Sequence, residues 1–350
     1  MLNLRSASRR QLTLIIAGAG VVIALAAAAL LPVPYVILSP GPTLNTLGRA
    51  GKHELIAVSG RRTYPVNGHL NLVTVSFQGG PSDHFNLFTA LQAWLTPHYA
   101  VVPEQELFGP GQSQQQVTRQ DTQQMVSSQE TATAAALCQL GVGFTTLDTV
   151  LTTEKGMPAA SALRKGDVIK AVDGTPVTCR HTTSSLIRAR RPGSAVTLTI
   201  SHGQARRQVR LRTVPLQGHT VIGVTIGETY RFPFHVKIDV GQIGGPSAGL
   251  MFALGIVDKL SPANLTNGRF IAGTGELASA SGEVEPIGGI QQKLAAARVA
   301  GATVFLTPAA NCHDAAGAVP AGLRLVKVST LRGAVGDLQA LATGKPVPSC

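Results

Sequence analysis

Between Leu12 and Leu31 the chain runs for twenty residues without a charge, and that run limits what the molecule can be more than any other feature. At about 1.5 Å per residue, a helix of this length crosses the ~30 Å hydrocarbon layer of a bilayer. Arg5, Arg9 and Arg10 precede it, and Pro32 and Pro34 stop it. Positive charge ahead of a span keeps the short tail, residues 1–11, in the cytoplasm and sends everything beyond Pro32 across. A cleaved signal peptide competes with this reading, because Ala26–Ala29 offers small residues for cleavage. The run is long for that purpose, so a retained single-pass anchor over residues 12–31 is favoured. On both readings the body of the protein is exported.

The 350-residue chain leaves room for two folded domains beyond the anchor, each with a core of its own. Lys and Arg outnumber Asp and Glu by 30 to 18, a formal charge of +12, which invites a nucleic-acid reading. The basic residues are scattered, or paired as at Arg206-Arg207, and only 4% of residues are aromatic. No zinc-ligand spacing, recognition helix or stacking motif accompanies them, so no nucleic-acid partner is expected. Weak attraction to an anionic membrane or wall surface accounts for the charge. The four cysteines, Cys138, Cys179, Cys312 and Cys350, include no Cys-x-x-Cys pair. No nearby histidine completes a metal site, and neither metal nor cofactor is expected. In an oxidising compartment two disulfides are the simplest outcome. Of the three pairings, Cys138–Cys179 with Cys312–Cys350 is preferred, since each bond then stays within one domain; four buried thiols are the alternative.

Residues 32–129 read as a membrane-proximal β-rich region that ends in a linker. Turn-rich Ser39-Pro40-Gly41-Pro42 is followed by apolar alternation at Leu70, Leu72, Val73 and Val75. Glu104–Gln129 is rich in glutamine and reads as a linker or exposed helix. A domain then covers 130–215. It comprises an Ala-rich helix at Thr131–Leu140 capped by Gly141, a strand near Phe144–Thr152, a helix near Thr182–Arg190, and strands at Ala195–Ser201 and Arg207–Arg212. Its middle, Pro158-Ala-Ala-Ser-Ala-Leu-Arg-Lys-Gly-Asp-Val-Ile-Lys-Ala-Val-Asp-Gly174, resembles the central signature of PDZ domains. That resemblance implies a groove taking an extended peptide or C-terminus as an added strand. Gly141, Val142, Gly143 and Phe144 resemble the family's carboxylate-binding loop.

The last domain, 216–350, has the makings of a compact α+β unit. Phe232, Phe234, Val236, Ile238 and Val240 alternate with Pro233, His235, Lys237 and Asp239, a strand with one buried face. It leads into Gly241-Gln-Ile-Gly-Gly-Pro-Ser247-Ala-Gly249, and Leu250–Leu260 is apolar nearly all round, as a buried helix is. Ser247 therefore sits where a glycine-rich loop meets a helix N-terminus, whose free N–H groups can hold an oxyanion. A Ser-His-acid triad would need His313, the one histidine downstream. Its acid would be Asp258, eleven residues further along the serine's own helix, or Asp314, which breaks the expected order. A lysine base fits better. Lys259 is too far along that helix, Lys237 faces outward, and Lys327 and Lys345 lie in undistinguished stretches. Lys293 opens an alanine-rich helix, where the helix end and burial both disfavour an ammonium. To serve as a base its pKa must fall from ~10.4 to about 7–8.

Gly245-Pro-Ser-Ala-Gly249, Gly273-Thr-Gly-Glu276, Gly282-Glu-Val284, Pro286-Ile-Gly-Gly289, Lys293 and Ala300–Pro308 occur in the order found in the proteolytic domain of Lon proteases, and the segment resembles that domain. The resemblance implies an acyl-enzyme mechanism in which Ser247 attacks and Lys293 moves the proton, with Thr274 holding the lysine. Gly245, Pro246 and Thr274 are the auxiliary and oxyanion positions. Gly244 stands where ATP-dependent relatives usually carry Asp, and no Gly-x-x-x-x-Gly-Lys-[Ser/Thr] phosphate loop occurs in the chain. Anchor, PDZ and Lon-type domains together resemble PDZ-containing Lon-like peptidases of bacterial envelopes. That resemblance implies an ATP-independent endopeptidase on the outer face of the cytoplasmic membrane, acting on protein or peptide segments and assembling as a homo-oligomer, a hexamer by family analogy. A catalytically idle PDZ scaffold is the rival reading, and an esterase using His313 a third.

Overall fold

The computed structural model describes residues 8–81, 83–109 and 111–350. Residues 1–7, which include Arg5 and most of the expected cytoplasmic tail, lie outside them. Helix α1 (Arg9–Leu30) opens on a reciprocal cap between Ser8 and Gln11, satisfying two of the amides a helix start leaves unpaired. None of its residues is buried. The mean hydropathy of its most apolar 18-residue window is 2.5, enough for a helix of this length to cross a membrane.

Beyond α1 come β1 (Pro32–Val33), β2 (Tyr35–Asn45), β3 (Ile56–Ser59), β4 (His69–Gln78) and β5 (Phe85–Asn86). Helix α2 (Leu87–Leu95), β6 (Ala100–Pro103) and the long helix α3 (Gln114–Gln139) follow. A second group comprises β7 (Thr145–Thr153), β8 (Val168–Val172), α4 (Thr183–Arg188), β9 (Ala195–His202), β10 (Ala205–Arg212) and β11 (Val224–Arg231). The last comprises β12 (His235–Ile238), α5 (Gly249–Leu260), β13 (Phe270–Gly273), α6 (Ile290–Val299), β14 (Val304–Pro308), β15 (Arg324–Val328) and α7 (Leu331–Ala342).

Two sheets organise the body. The smaller unit has strand order β10-β9-β8-β7-β11, antiparallel throughout. It encloses its own core of Val150, Ile169, Val172, Val196, Leu198 and Ile200. The larger sheet runs β15-β14-β13-β4-β2-β6. Its β15, β14, β13 and β4 are parallel, and β2 and β6 continue it antiparallel.

Residues 32–129 are thus no free-standing membrane-proximal region. Leu70 pairs with Ile271 and Leu72 with Gly273, while β3 pairs with β12 from Ile56↔Ile238 to Ser59↔His235. The larger unit is assembled from two chain segments that flank the smaller one. Local periodicity identifies β4 as a strand but carries no information about a partner two hundred residues away.

The glutamine-rich stretch is not a linker either. It forms the first half of α3, which starts on a second reciprocal cap, Ser113 with Gln116. Met125, Ser128, Ala132, Ala135 and Ala136 make a buried stripe at helical spacing. Small residues there let α3 lie close against α5, every residue of which is buried. Residue 130 therefore falls inside a helix of the larger unit, and the smaller sheet extends past residue 215 to take in β11.

Phe232, Phe234, Val236, Ile238 and Val240 all pack on the α5 core, although only His235–Ile238 is hydrogen-bonded as strand. Cys138, in the last turn of α3, is bonded to Cys179 ahead of α4, and Cys312 is bonded to Cys350. Because α3 belongs to the larger unit, the Cys138–Cys179 bond joins the two units instead of staying within one.

Candidate active site

Ser247 ends the turn between β12 and α5, with Ala248 as the residue ahead of the helix. Two contacts hold it from behind. Its carbonyl accepts from the Gly275 amide at 2.9 Å and from the Thr274 hydroxyl at 3.0 Å. Lys293 lies on the first turn of α6, which starts from Gly289 in left-handed conformation. Its side chain is only 3% exposed, and its Nζ donates to Ser247 Oγ at 3.1 Å and to Thr274 Oγ1 at 3.2 Å. Burial pushes the Lys293 pKa down to about 8, because an ammonium loses its hydration there and, among the described residues, no carboxylate pairs with it to compensate.

The Thr274 hydroxyl proton is spent on the Ser247 carbonyl, so this oxygen can only accept from the lysine. A neutral Lys293 amine that donates one N–H to Thr274 then turns its lone pair toward the Ser247 hydroxyl. That is the arrangement a general base requires: within hydrogen-bond reach and oriented by a third group.

The other titratable candidates are placed elsewhere. Asp258 is buried on α5 and accepts from the Leu265 amide at 2.7 Å; burial raises its pKa to about 6. Lys259 pairs with Glu54 at 2.8 Å. His313, Asp314, Lys237, Lys327 and Lys345 are exposed. Among the described residues, the Ser247 hydroxyl has Lys293 and no histidine as its side-chain partner, which removes the geometry a histidine-dependent esterase needs.

Gly245 and Pro246 were the expected oxyanion positions, but neither has a free amide. The Gly245 N–H donates to the Asp121 carbonyl at 3.0 Å, and proline has none. The amides of Ser247 and Ala248 donate to no other group among the described residues, and they stand at the positive end of α5.

Asp121 belongs to α3, a participant that the sequence reading missed. Helix α3 roofs the site: Ser128 Oγ donates to the Pro246 carbonyl at 2.9 Å. A Cβ placed on Gly244 would lie 2.7 Å from the Asp121 Cβ, and one on Gly249 3.1 Å from Ser128 Oγ. The glycines around Ser247 are therefore the space into which α3 packs. Ser113-x-x-Gln116 followed by apolar and small residues at helical spacing was the available signal. Under this roof runs a groove of about 840 Å³ containing Ser247 and Lys293, with walls that include Leu38, Val75, Phe77, Phe108, Asp121 and Ile243.

At Gly141–Phe144, the expected peptide-binding loop, two amides are already engaged. The amides of Gly141 and Val142 donate back to Cys138 and Leu137, closing α3, and Val142 and Phe144 pack on the α5 core. The strand that follows, β7, has β8 on one side and β11 on the other. The Gly141 and Val142 amides are therefore engaged, and the strand that follows the loop has no open edge. The edge strands of this sheet are β10 and β11, and a cleft of about 210 Å³ between β11 and α4 is lined by Ser184, Ile187, Arg188, Ile222, Val224 and Ile226.

Two families match the chain, in line with these units. The profile of the PDZ domain matches residues 138–213. That of the Lon protease (S16) C-terminal proteolytic domain matches residues 223–334. A Lon protease of Heliobacterium modesticaldum is 39% identical over 82 residues, 23% of this chain and 10% of that protein. One from Campylobacter concisus is 34% identical over 107 residues, 29% and 13% of the two chains. Lon protease 1 of Sorangium cellulosum is 35% identical over 115 residues, 31% and 14%. The chain thus spans only 10–14% of the length of these curated relatives. Among solved structures, the PDZ domain of an SdrC-like protein from Listeria monocytogenes is similar at 24% identity and a TM-score of 0.21, covering 23% of this chain and 85% of that one. Residues 223–334 thus carry a match to the Lon-type class of peptidase domains. The chain itself joins such a domain to a PDZ domain, behind an N-terminal helix apolar enough to cross a membrane.

Proposed function

We propose that this chain is an ATP-independent serine endopeptidase, tethered by α1 to the outer face of a bacterial cytoplasmic membrane, that cuts extended protein segments with a Ser247–Lys293 dyad. The observation that carries this reading is the 3.1 Å contact between Lys293 Nζ and Ser247 Oγ, made by a lysine whose pKa burial lowers to about 8.

The chemistry follows from the geometry. Neutral Lys293 takes the Ser247 hydroxyl proton as Oγ attacks the substrate carbonyl carbon. The oxyanion that forms meets the amides of Ser247 and Ala248 and the positive end of α5. The C–N bond then breaks, and the lysine ammonium returns its proton to the departing amine. Water attacks the resulting ester, again losing a proton to Lys293, and Ser247 is restored with release of the new carboxylate. The groove under α3, about 840 Å³, would receive unfolded or membrane-proximal segments. The β11–α4 cleft is the place where a substrate tail would add as a further strand, in place of Gly141–Phe144.

A serine-reactive fluorophosphonate probe tests the dyad on the full chain. Wild type is expected to label without ATP, and Ser247→Ala and Lys293→Ala are expected not to. A folded wild-type chain that labels under no pH condition would overturn the catalytic reading in favour of a scaffold.

A further inference from the structure

Helix α2 is built inside out. Its inward residues are small, Ala90 and Ala93, and with Ile37 and Phe85 they form a minor core. Its large residues point away: Leu87, Phe88, Leu91, Trp94 and Leu95 are 40%, 64%, 48%, 70% and 75% exposed. These positions share one helical face. A water-facing helix carries its charges there, yet between Asp83 and Glu104 the chain has no Asp, Glu, Lys or Arg.

The location of α2 names what covers this face. At the end of α1, β1 pairs directly with β5, Pro32↔Asn86 and Val33↔Phe85, and Asn86 is the residue that caps α2. Ala29, Leu30 and Pro32 face His84, Phe85 and Thr89 across a small cleft, so α2 starts beside the last turn of α1. If α1 spans the bilayer, α2 is held at the level where it emerges. Tyr99, just beyond α2, is also exposed; Trp and Tyr are the residues that favour the headgroup region.

We propose that α2 is a second membrane contact, lying in the outer lipid–water interface with Leu87, Phe88, Leu91, Trp94 and Leu95 among the acyl chains. This rests on reading α1 as a retained anchor. A short exposed helix with one apolar face and no net charge inserts shallowly instead of spanning. The peptidase unit then sits flat on the bilayer at two points. Its groove follows within one strand of α2, since Leu38 is on β2 and Phe108 lies just past β6. Substrates taken there are segments leaving the membrane surface.

Trp94 is the chain's only tryptophan, so its emission reports on this face alone. The full chain is reconstituted into phosphatidylcholine–phosphatidylglycerol vesicles and floated through alkaline carbonate, and Trp94 is then challenged with aqueous iodide or with acyl-brominated phosphatidylcholine. The expected result is co-flotation, loss of most Trp94 emission to bromines near the headgroup end, and little loss to iodide. The Phe88→Gln/Leu91→Gln double variant, altered only at exposed sites, should still float and still label at Ser247, while its Trp94 becomes open to iodide. Flotation with a wild-type Trp94 quenched by iodide overturns the proposal and leaves the anchor standing. Protection from both quenchers overturns it too, because a protein surface then covers the face. A chain that fails to float overturns the anchor, and this inference with it.

Discussion

At Lys293 a cost to folding and the proposed gain in reactivity have the same origin. The unfolded lysine titrates near 10.5 and the folded one near 8. Between those values the native state binds fewer protons than the unfolded one, so stability rises with pH across that window. Below about 8 both states are protonated, and the buried ammonium costs the fold up to about 3 kcal/mol. Lys293→Met should therefore abolish cleavage yet raise stability by about 1–3 kcal/mol near neutral pH. Urea unfolding would show this gain shrinking toward zero above the unfolded lysine's pKa. In the wild type, kcat/KM should climb about tenfold per pH unit up to about 8 and level off above it. A rate flat from pH 6 upward would mean that Lys293 is not the base. Both residues of the proposed dyad could be singled out in the sequence, Ser247 by its place at a glycine-rich helix entry and Lys293 by the resemblance to Lon proteolytic domains. Which amides face the oxyanion could not be: the Gly245 amide is taken by Asp121, a residue 124 positions away.

Helix α3 shows how an element can be recognised and its purpose missed. A run of glutamines suggests solvent, and the outward half of α3 does face it. The inward half is Met125, Ser128 and alanines, a narrow stripe that composition averages away. Its closeness to the serine loop sets a strict size limit at Gly244. Gly244→Ala would bring a methyl to 2.7 Å from the Asp121 Cβ, an overlap that rotamer changes cannot relieve, so the roof or the loop must shift. A shift of about 1 Å at a nucleophile costs on the order of 10²-fold in rate. Cleavage by Gly244→Ala should fall by that factor with kcat affected more than KM, and circular dichroism should show the helices intact. Asp121→Gly, which removes the clashing Cβ, should restore part of the loss in the double variant.

For the molecule as a whole, the connection between the two units is chemical as well as topological. Residues 145–231 form an insertion between the two halves of the peptidase unit, and Cys138–Cys179 fastens its base to the end of α3. Closing a loop of 41 residues stabilises by about 4 kcal/mol in the chain-entropy account. The double variant Cys138→Ser/Cys179→Ser should unfold at lower denaturant by that margin while keeping the Ser247 labelling rate, since the bond lies outside the groove. An unchanged midpoint would show that the units hold together without it. The second bond, Cys312–Cys350, fixes the C-terminal tail, whose Pro348 carbonyl accepts from Lys327 on β15 at 3.1 Å.

By itself the sequence determined the features that depend on neighbours in the chain: the apolar helix, the PDZ signature and the alternating approach to Ser247. Each is a matter of spacing over a few residues, where backbone geometry leaves few choices. Only the tertiary structure decided that β2 and β4 complete the larger sheet, that α3 roofs the groove, and that β10 and β11 are the edges of the smaller sheet. Those outcomes depend on which of many similar strands and helices meet across long stretches of chain. That choice is made by the summed fit of surfaces buried together, and no single segment contains it.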